Sequence, residues 1–537
     1  MSDILAVCTR ENIPVDRYLV ENGYCNEMQA VSVLGNYFCM PYIEMGMLEI
    51  DEALLESIDL NFLKKHLIVP ISLTDNGTMV LAIADPTDFI ATSAVSTFYT
   101  GRVNYILVPP GQIANYIDSV AAVRSTANAL DNLRREQEGG QDQNTAPVDS
   151  DRDVINAPAV QLVDSVIREA IPFRASDIHI EPFEKNVRIR YRIDGELSDR
   201  ASFPIESYPA IGARLKIISD MNIAERRIPQ DGRINMVIGG TEYDFRVSSI
   251  PTVWGEKFVI RVLDKSAFNF SREDLGFTDA ENELVDRTLA HPHGIVLLSG
   301  PTGCGKSTTL YSFLRELNKP NVNITTVEDP VEYTMEGINQ IQVNVKADMT
   351  FASALRSILR QDPDVVMIGE IRDEETAQIA IRAAITGHLV FSTIHTNDAP
   401  GALVRLVDMG VSNYLAADAL VSVISQRLVK RLCPACKAKS VTTESEMELL
   451  GLNEPVTIYR PQGCQYCNGT GYKGRIAVHE IMYMNDALRE AALENMNAEQ
   501  VRRVAIENGM VPIFTACREY VFKGITSIQE LMSLYME

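Results

Sequence analysis

Gly300-Pro301-Thr302-Gly303-Cys304-Gly305-Lys306-Ser307 fits G-x-x-x-x-G-K-[ST], and the residues on either side decide how it is read. Before it, Ile295-Val296-Leu297-Leu298 is an unbroken apolar run of strand length. After it, Leu310, Phe313, Leu314 and Leu317 recur at helical spacing. Strand, glycine-rich loop and helix in that order make a phosphate cradle. Gly300, Gly303 and Gly305 let the backbone turn its N–H groups towards phosphate oxygens, and the helix directs its positive end to the same place. Lys306 would neutralise β- and γ-phosphates, and the Ser307 hydroxyl would ligate Mg²⁺. Pro301, Thr302, Cys304 and Thr308 complete the nucleotide-binding positions. An ordinary glycine turn opening a helix is the bland alternative, and the flanking strand and helix weigh against it.

Single cores stop growing near ~250–300 residues, so a chain of 537 predicts several domains. Hydrophobic content of 46% is enough to bury cores throughout most of it. A formal net charge of −23 repels polyanions, and no basic run offsets it, which argues against nucleic acid as a partner. No apolar stretch reaches the ~18 residues of a membrane span, and the first residues lack a signal-peptide pattern, which predicts a cytoplasmic protein.

Residues 1–123 mix helical periodicity with the strand-like Met79–Ala84, a small α/β domain, and 124–153 are polar enough to predict a flexible linker. Residues 154–268 alternate as strands at 187–192 and 243–247, with arginines on the polar face: Arg188, Arg190, Arg192, Arg246 and Arg261, and Arg226, Arg227 and Arg233 nearby. Taken singly, each reads as a solvated sheet residue. In 269–432, strands at 295–298, 324–327, 365–368 and 389–393 alternate with helices at 307–317, 351–360 and 375–385, which predicts a doubly wound α/β domain. A cysteine module at 433–475 and a helical segment at 476–537 follow.

Ligands in such sheets bind beyond the carboxyl ends of the strands. Three predicted strands end in Glu328-Asp329 with Glu332 close behind, in Gly369-Glu370, and in His395. Glu332 and Glu370 are the candidates for holding Mg²⁺ and orienting the attacking water, and the sequence does not divide those roles. His395 is a candidate γ-phosphate sensor. Cys433-Pro434-Ala435-Cys436 and Cys464-Gln465-Tyr466-Cys467 offer four thiolates, a closed structural Zn²⁺ site, with redox pairing as the alternative.

In order, GPTGCGKSTTLY, ITTVEDPVEY, LRSILRQDPDVVMIGEIRDEETA, TGHLVFSTIHTN and the paired C-x-x-C resemble the ATPases of type II secretion and type IV pilus assembly. Upstream, RASDIHIEP, RIDGEL, AERRIPQDGR and RVSSIPTVWGEKFVIRVL extend the resemblance over about 154–537. It implies a RecA-like P-loop ATPase domain, a preceding PAS-like α/β domain, an N-terminal docking domain and a tetracysteine zinc module. It also implies a homo-hexamer on the cytoplasmic face of the inner membrane, docked to platform and cytoplasmic-domain proteins. Carried onto this sequence, Glu328, Asp329 and Glu332 match the aspartate box, Glu370 the Walker B glutamate, and His388 and His395 the His box. Arg246 and Arg261 match arginines that reach the nucleotide, and we expect at least one of them to act on ATP held by a neighbouring subunit. Residues 1–123 resemble the docking domain more loosely. The Arg-Leu-Gly opening of relatives that bind cyclic di-GMP is missing, and Tyr18–Gly23 keeps only part of that pattern, which counts against this ligand.

The expected function is therefore an ATP-hydrolysing motor for pilus or pseudopilus assembly and protein secretion. A RecA-like nucleic-acid translocase and a nucleotide-gated scaffold with little turnover are the competing readings.

Overall fold

The computed structural model describes residues 15–139 and 158–536, apart from 22–23, 56–57, 75, 96–98, 239–240, 265–269, 468 and 495–496. The chain divides into two compact units, Met1–Asp264 and Lys265–Glu537.

In the second unit the apolar run before the phosphate loop is the strand Gly294–Ser299, buried at every position. It can be apolar on both faces because the sheet is covered on both. Ile295 and Leu297 pack with the helices Phe351–Ile358, Glu374–Ile385 and Ala399–Asp408, while Val296 and Leu298 pack under Asp279–Leu289 and Lys306–Leu317. The sheet has seven strands in the order Asn339–Gln342, Ile324–Glu328, Val365–Ile368, Leu389–Ile394, Gly294–Ser299, Leu420–Leu432, Tyr472–Tyr483. All neighbours are parallel except the last pair.

The last two strands change the domain boundaries. Leu420–Leu432 and Tyr472–Tyr483 are paired from Ser422↔Tyr483 to Leu432↔Tyr472, so the cysteine module is an insertion between adjacent strands of the nucleotide-binding sheet. The expected boundary at 475/476 falls inside one of them. C-terminal helices follow at Asp486–Leu493, Ala498–Glu507, Ile513–Phe522 and Ile528–Met536. Glu480, buried on the last strand, accepts from the first N–H groups of two helices, Ala399 (2.8 Å) and Ile513 (3.1 Å). It satisfies orphan donors at both termini and ties the C-terminal helices to the sheet.

Beside it, His479 is buried and stacks on Phe277 with ring centroids 3.8 Å apart. Burial pushes its imidazole from 6.5 down to about 3. Below pH 6.5 the unfolded chain takes up a proton that the folded state refuses, so this residue makes stability fall as pH drops, by up to ~1.4 kcal/mol per pH unit. In His479→Phe, unfolding midpoints measured between pH 6.5 and 5 are expected to lose that part of the slope. An unchanged slope would show that His479 is protonated in the fold.

In the first unit, Ile68–Leu73, Thr78–Ile83 and Arg102–Leu107 form a three-stranded sheet. The helix Pro110–Gly139 runs on from it. This corrects the expected linker start at 124. Ala129 is buried and Leu130 partly so in the core of the next domain, an apolar foothold in an otherwise polar stretch. The remaining linker, 140–153, lies outside the described residues, as do Asn22 and Gly23 of the Tyr18–Gly23 stretch. That next domain is a six-stranded antiparallel sheet, in the order Glu196–Pro204, Asn186–Ile193, Ala175–Pro182, Gly255–Asp264, Thr241–Thr252, Gln230–Ile238. The helices Pro158–Ala170 and Tyr208–Ile218 contribute to its apolar core.

Candidate functional site

The phosphate loop bends where its glycines require: Gly300, Gly303 and Gly305 have φ of 136°, 80° and 90°. Gly305 is the N-cap of the helix that begins at Lys306, so the helix's positive end faces the loop. Lys306 donates from Nζ to the carbonyls of Gly300 (2.7 Å) and Pro301 (2.9 Å). Burial lowers its pKa, against the pull of Cys304 and Glu370.

Glu370 emerges from Val365–Ile368 and is bracketed by the neighbouring strand. Thr393 Oγ1 donates to the Gly369 carbonyl at 2.8 Å, and Ile371 N donates to Thr393 O at 3.0 Å. A Cβ on Gly369 would lie 3.4 Å from Val327 O and Glu328 Cα, in contact with the next strand. His395 Nε2 lies 3.4 Å from Glu370 Oε2, and Arg372 pairs with the other carboxylate oxygen. The fold therefore gathers Lys306, Glu370 and His395, three of the predicted residues, at the carboxyl edge of the sheet.

Two predicted nucleotide-binding residues belong elsewhere. His388 precedes the amino end of Leu389–Ile394, where its Nδ1 bonds Ala383 O (3.0 Å) and its carbonyl accepts from Gly294 N (3.1 Å). Six residues at about 3.3 Å each separate that end from His395, so His388 is about 20 Å from the ligand edge. The His box spans a strand, so its two histidines lie at opposite ends of that strand. Glu328 is buried, accepting from Tyr311, from Thr326 Oγ1 (2.6 Å) and from Gln340 Nε2 (3.1 Å). It braces the strand end under the phosphate-loop helix. Asp329 is exposed and Glu332 half-buried just beyond it.

Gln426, Arg427 and Tyr311 are functional neighbours that the sequence reading did not select. A Gln-Arg pair in Val421–Val429, whose other residues are apolar or serine, was the available signal.

On the six-stranded sheet, Glu181 takes two bonds from Arg190 (2.8 and 2.9 Å) and lies near Lys257 (2.9 Å). Burial raises its pKa, but these cations overcome it and hold the carboxyl at about 2. Arg192, Asp177, Arg261, Arg246 and Arg233 are consecutive cross-strand partners, one row with four arginines to one aspartate. Asp177 pairs with the arginines on either side of it, Arg261 at 3.3 Å and Arg192 at 3.8 Å.

The four cysteine sulfurs lie within 4.8 Å of one another, with Cys433–Cys464 and Cys436–Cys467 at 3.8 Å and Cys464–Cys467 at 3.7 Å. A tetrahedron with ~2.3 Å Zn–S bonds has edges of about 3.8 Å, whereas a disulfide needs ~2.05 Å. The residues fit zinc. Burial raises the Cys467 pKa, but N–H groups of Cys464 (3.2 Å) and Gly471 (3.1 Å) aimed at its sulfur help bring it down to about 7.

This sheet order, phosphate loop and acidic strand end define a RecA-like P-loop ATPase. The chain belongs to the family described as Type II/IV secretion system protein, which residues 153–533 match, and so to the secretion and pilus motor ATPases. Residues 38–127 match the MshEN domain. The chain is 39% identical to the type IV pilus assembly ATPase PilB of Myxococcus xanthus over 524 residues, 96% of this chain and 92% of that one. It is 46% identical to type II secretion system protein E of Pseudomonas aeruginosa over 384 residues, 71% of this chain and 76% of that one. The X-ray structure of the Yersinia pseudotuberculosis ATPase DotB shares the fold, with a TM-score of 0.53 and 21% identity over 74% of this chain and 96% of that one. Among the described residues no helix is long and apolar enough to cross a membrane.

Proposed function

We propose that this protein is the subunit of a hexameric ring that couples ATP hydrolysis to assembly of a pilus or pseudopilus on the cytoplasmic side of an inner membrane. The observation that carries the hydrolytic part is the meeting of Glu370 and His395 at the sheet edge that also carries the phosphate loop. The match to a pilus assembly ATPase across 96% of the chain favours pilus extension; the higher identity of its core to secretion ATPases keeps pseudopilus assembly as the second reading. In this reading Lys306 neutralises the β- and γ-phosphates and Ser307 ligates Mg²⁺. Glu370 orients water, Glu332 serves the metal, and His395 reads the γ-phosphate. Arg246 and Arg261 stand opposite each other on neighbouring strands, and at least one of them supplies charge to nucleotide in a neighbouring subunit. The four cysteines hold Zn²⁺, and the N-terminal domain docks to membrane partners.

Lys306→Ala is expected to lower ATP turnover of the purified full-length protein by ~10²–10³-fold or more, since the charge facing the phosphates is lost. The same change should abolish pili or secretion when it replaces the chromosomal copy. Near-normal turnover would remove Lys306 from the mechanism, and turnover that rises several-fold with DNA at low salt would support a nucleic-acid translocase instead.

A further inference from the structure

Directly beneath the phosphate loop, the strand Leu420–Leu432 carries Gln426, which is 1% exposed, and Arg427, which is 8% exposed. Two polar side chains at the centre of a buried strand need partners, and theirs come from two different loops of the site. Gln426 Nε2 donates to the carbonyl of Cys304, inside the phosphate loop, at 2.6 Å. Its Oε1 accepts from the Thr309 hydroxyl, one turn into the following helix, at 3.0 Å. Because a carbonyl only accepts, the amide orientation is fixed. With the Cys304 carbonyl held down into the protein, the Gly305 N–H of the same trans peptide points the opposite way. The fit is close: a Cβ on Gly300 would lie 2.5 Å from Gln426 O and 3.2 Å from Arg427 Nη1, and one on Gly305 would lie 3.1 Å from Gln426 Nε2. Arg427 reaches the other way, donating from Nη2 to the carbonyl of Asn397 at 2.9 Å, two residues past His395.

We infer that Gln426 and Arg427 are positioning residues for ATP hydrolysis: Gln426 sets the shape of the phosphate loop, and Arg427 holds the His395 loop at the γ-phosphate. This rests on the ATPase reading above. The two halves act on different steps. A misshapen phosphate loop loses N–H contacts to bound nucleotide in ground and transition states alike, which appears as affinity. A displaced His395 leaves binding intact and slows chemistry.

The test uses the full-length protein, with thermal melting and zinc content confirming that each variant is folded. Gln426→Met keeps the length and removes both bonds, and Gln426→Glu sets an acceptor against the Cys304 carbonyl. Both are expected to bind a fluorescent ADP analogue at least ~10-fold more weakly. Thr309→Val removes one tether without touching Gln426, so it should weaken binding in the same direction by a smaller factor. It decides the matter should the Gln426 variants not fold. Arg427→Lys keeps the charge but lacks the second guanidinium arm. It should bind within about twofold of the parent while kcat at saturating ATP falls ~10-fold. Parental affinity in folded Gln426→Met, even with a lower melting temperature, overturns the phosphate-loop half by reducing Gln426 to packing. Parental kcat in Arg427→Lys overturns the other half. If the wild-type protein binds nucleotide but does not hydrolyse it, the ATPase reading fails, while the affinity arm still decides the role of Gln426.

Discussion

Glu370→Gln is expected to bind ATP with parental affinity and to hydrolyse it ~10²–10³-fold more slowly. The amide keeps the side chain's shape, and the backbone on both sides of it is pinned to Thr393, so the strand end should not move. What disappears is the negative charge that in the proposed mechanism polarises an attacking water, together with its attraction for His395 and Arg372. The loss therefore falls on kcat, in contrast to the affinity loss expected for Gln426. Measuring single-turnover hydrolysis and nucleotide binding on one preparation separates the two. A Glu370→Gln protein that turns over within a few-fold of the parent would move the water-orienting role to Glu332, the half-buried acid beyond the neighbouring strand.

Changing Cys464 and Cys467 together to Ser should remove zinc completely and unfold the segment between Leu432 and Tyr472. Structural zinc contributes roughly 10–16 kcal/mol of apparent binding energy in small metal modules, far more than so short an insertion gains from packing. Both ends of the insertion are the paired residues Leu432↔Tyr472, at the tip of the strand pair that carries Gln426 further along. Loss of metal should therefore fray that pair and lower ATP turnover as well. Elemental analysis gives the zinc stoichiometry, and hydrogen exchange shows whether amides of 433–471 lose protection. Wild-type protein purified without chelator that holds no zinc would sink this prediction, as would a double variant with normal protection.

The readable parts of the site were those whose chemistry is local in sequence. Gly300 to Ser307 must adopt a loop that only glycine permits at three positions, and the apolar runs on either side announce a strand covered on both faces and a helix covered on one. The C-x-x-C pairs are equally local. Glu370 and His395 were found because parallel strands place their carboxyl ends on one edge, a rule that needs only strand boundaries. The same rule did not help with His388 and Glu328. A histidine seven residues from His395 looks equivalent in sequence, yet the strand between them carries the two to opposite edges. Glu328 ends a strand beside the site, but Tyr311, Thr326 and Gln340 converge on its carboxylate from different elements.

By itself the sequence determined the phosphate loop, the order of strands and helices around it, the paired cysteines and the membership of residues 153–533 in the secretion ATPase family. Only the tertiary structure decided that the cysteine module interrupts the nucleotide-binding sheet, that Arg246 stands opposite Arg261, and that Gln426 reaches the phosphate loop. These are contacts between residues up to 122 positions apart. They are fixed by which strands pair and in which register, and register follows from the packing of the whole sheet rather than from any one segment.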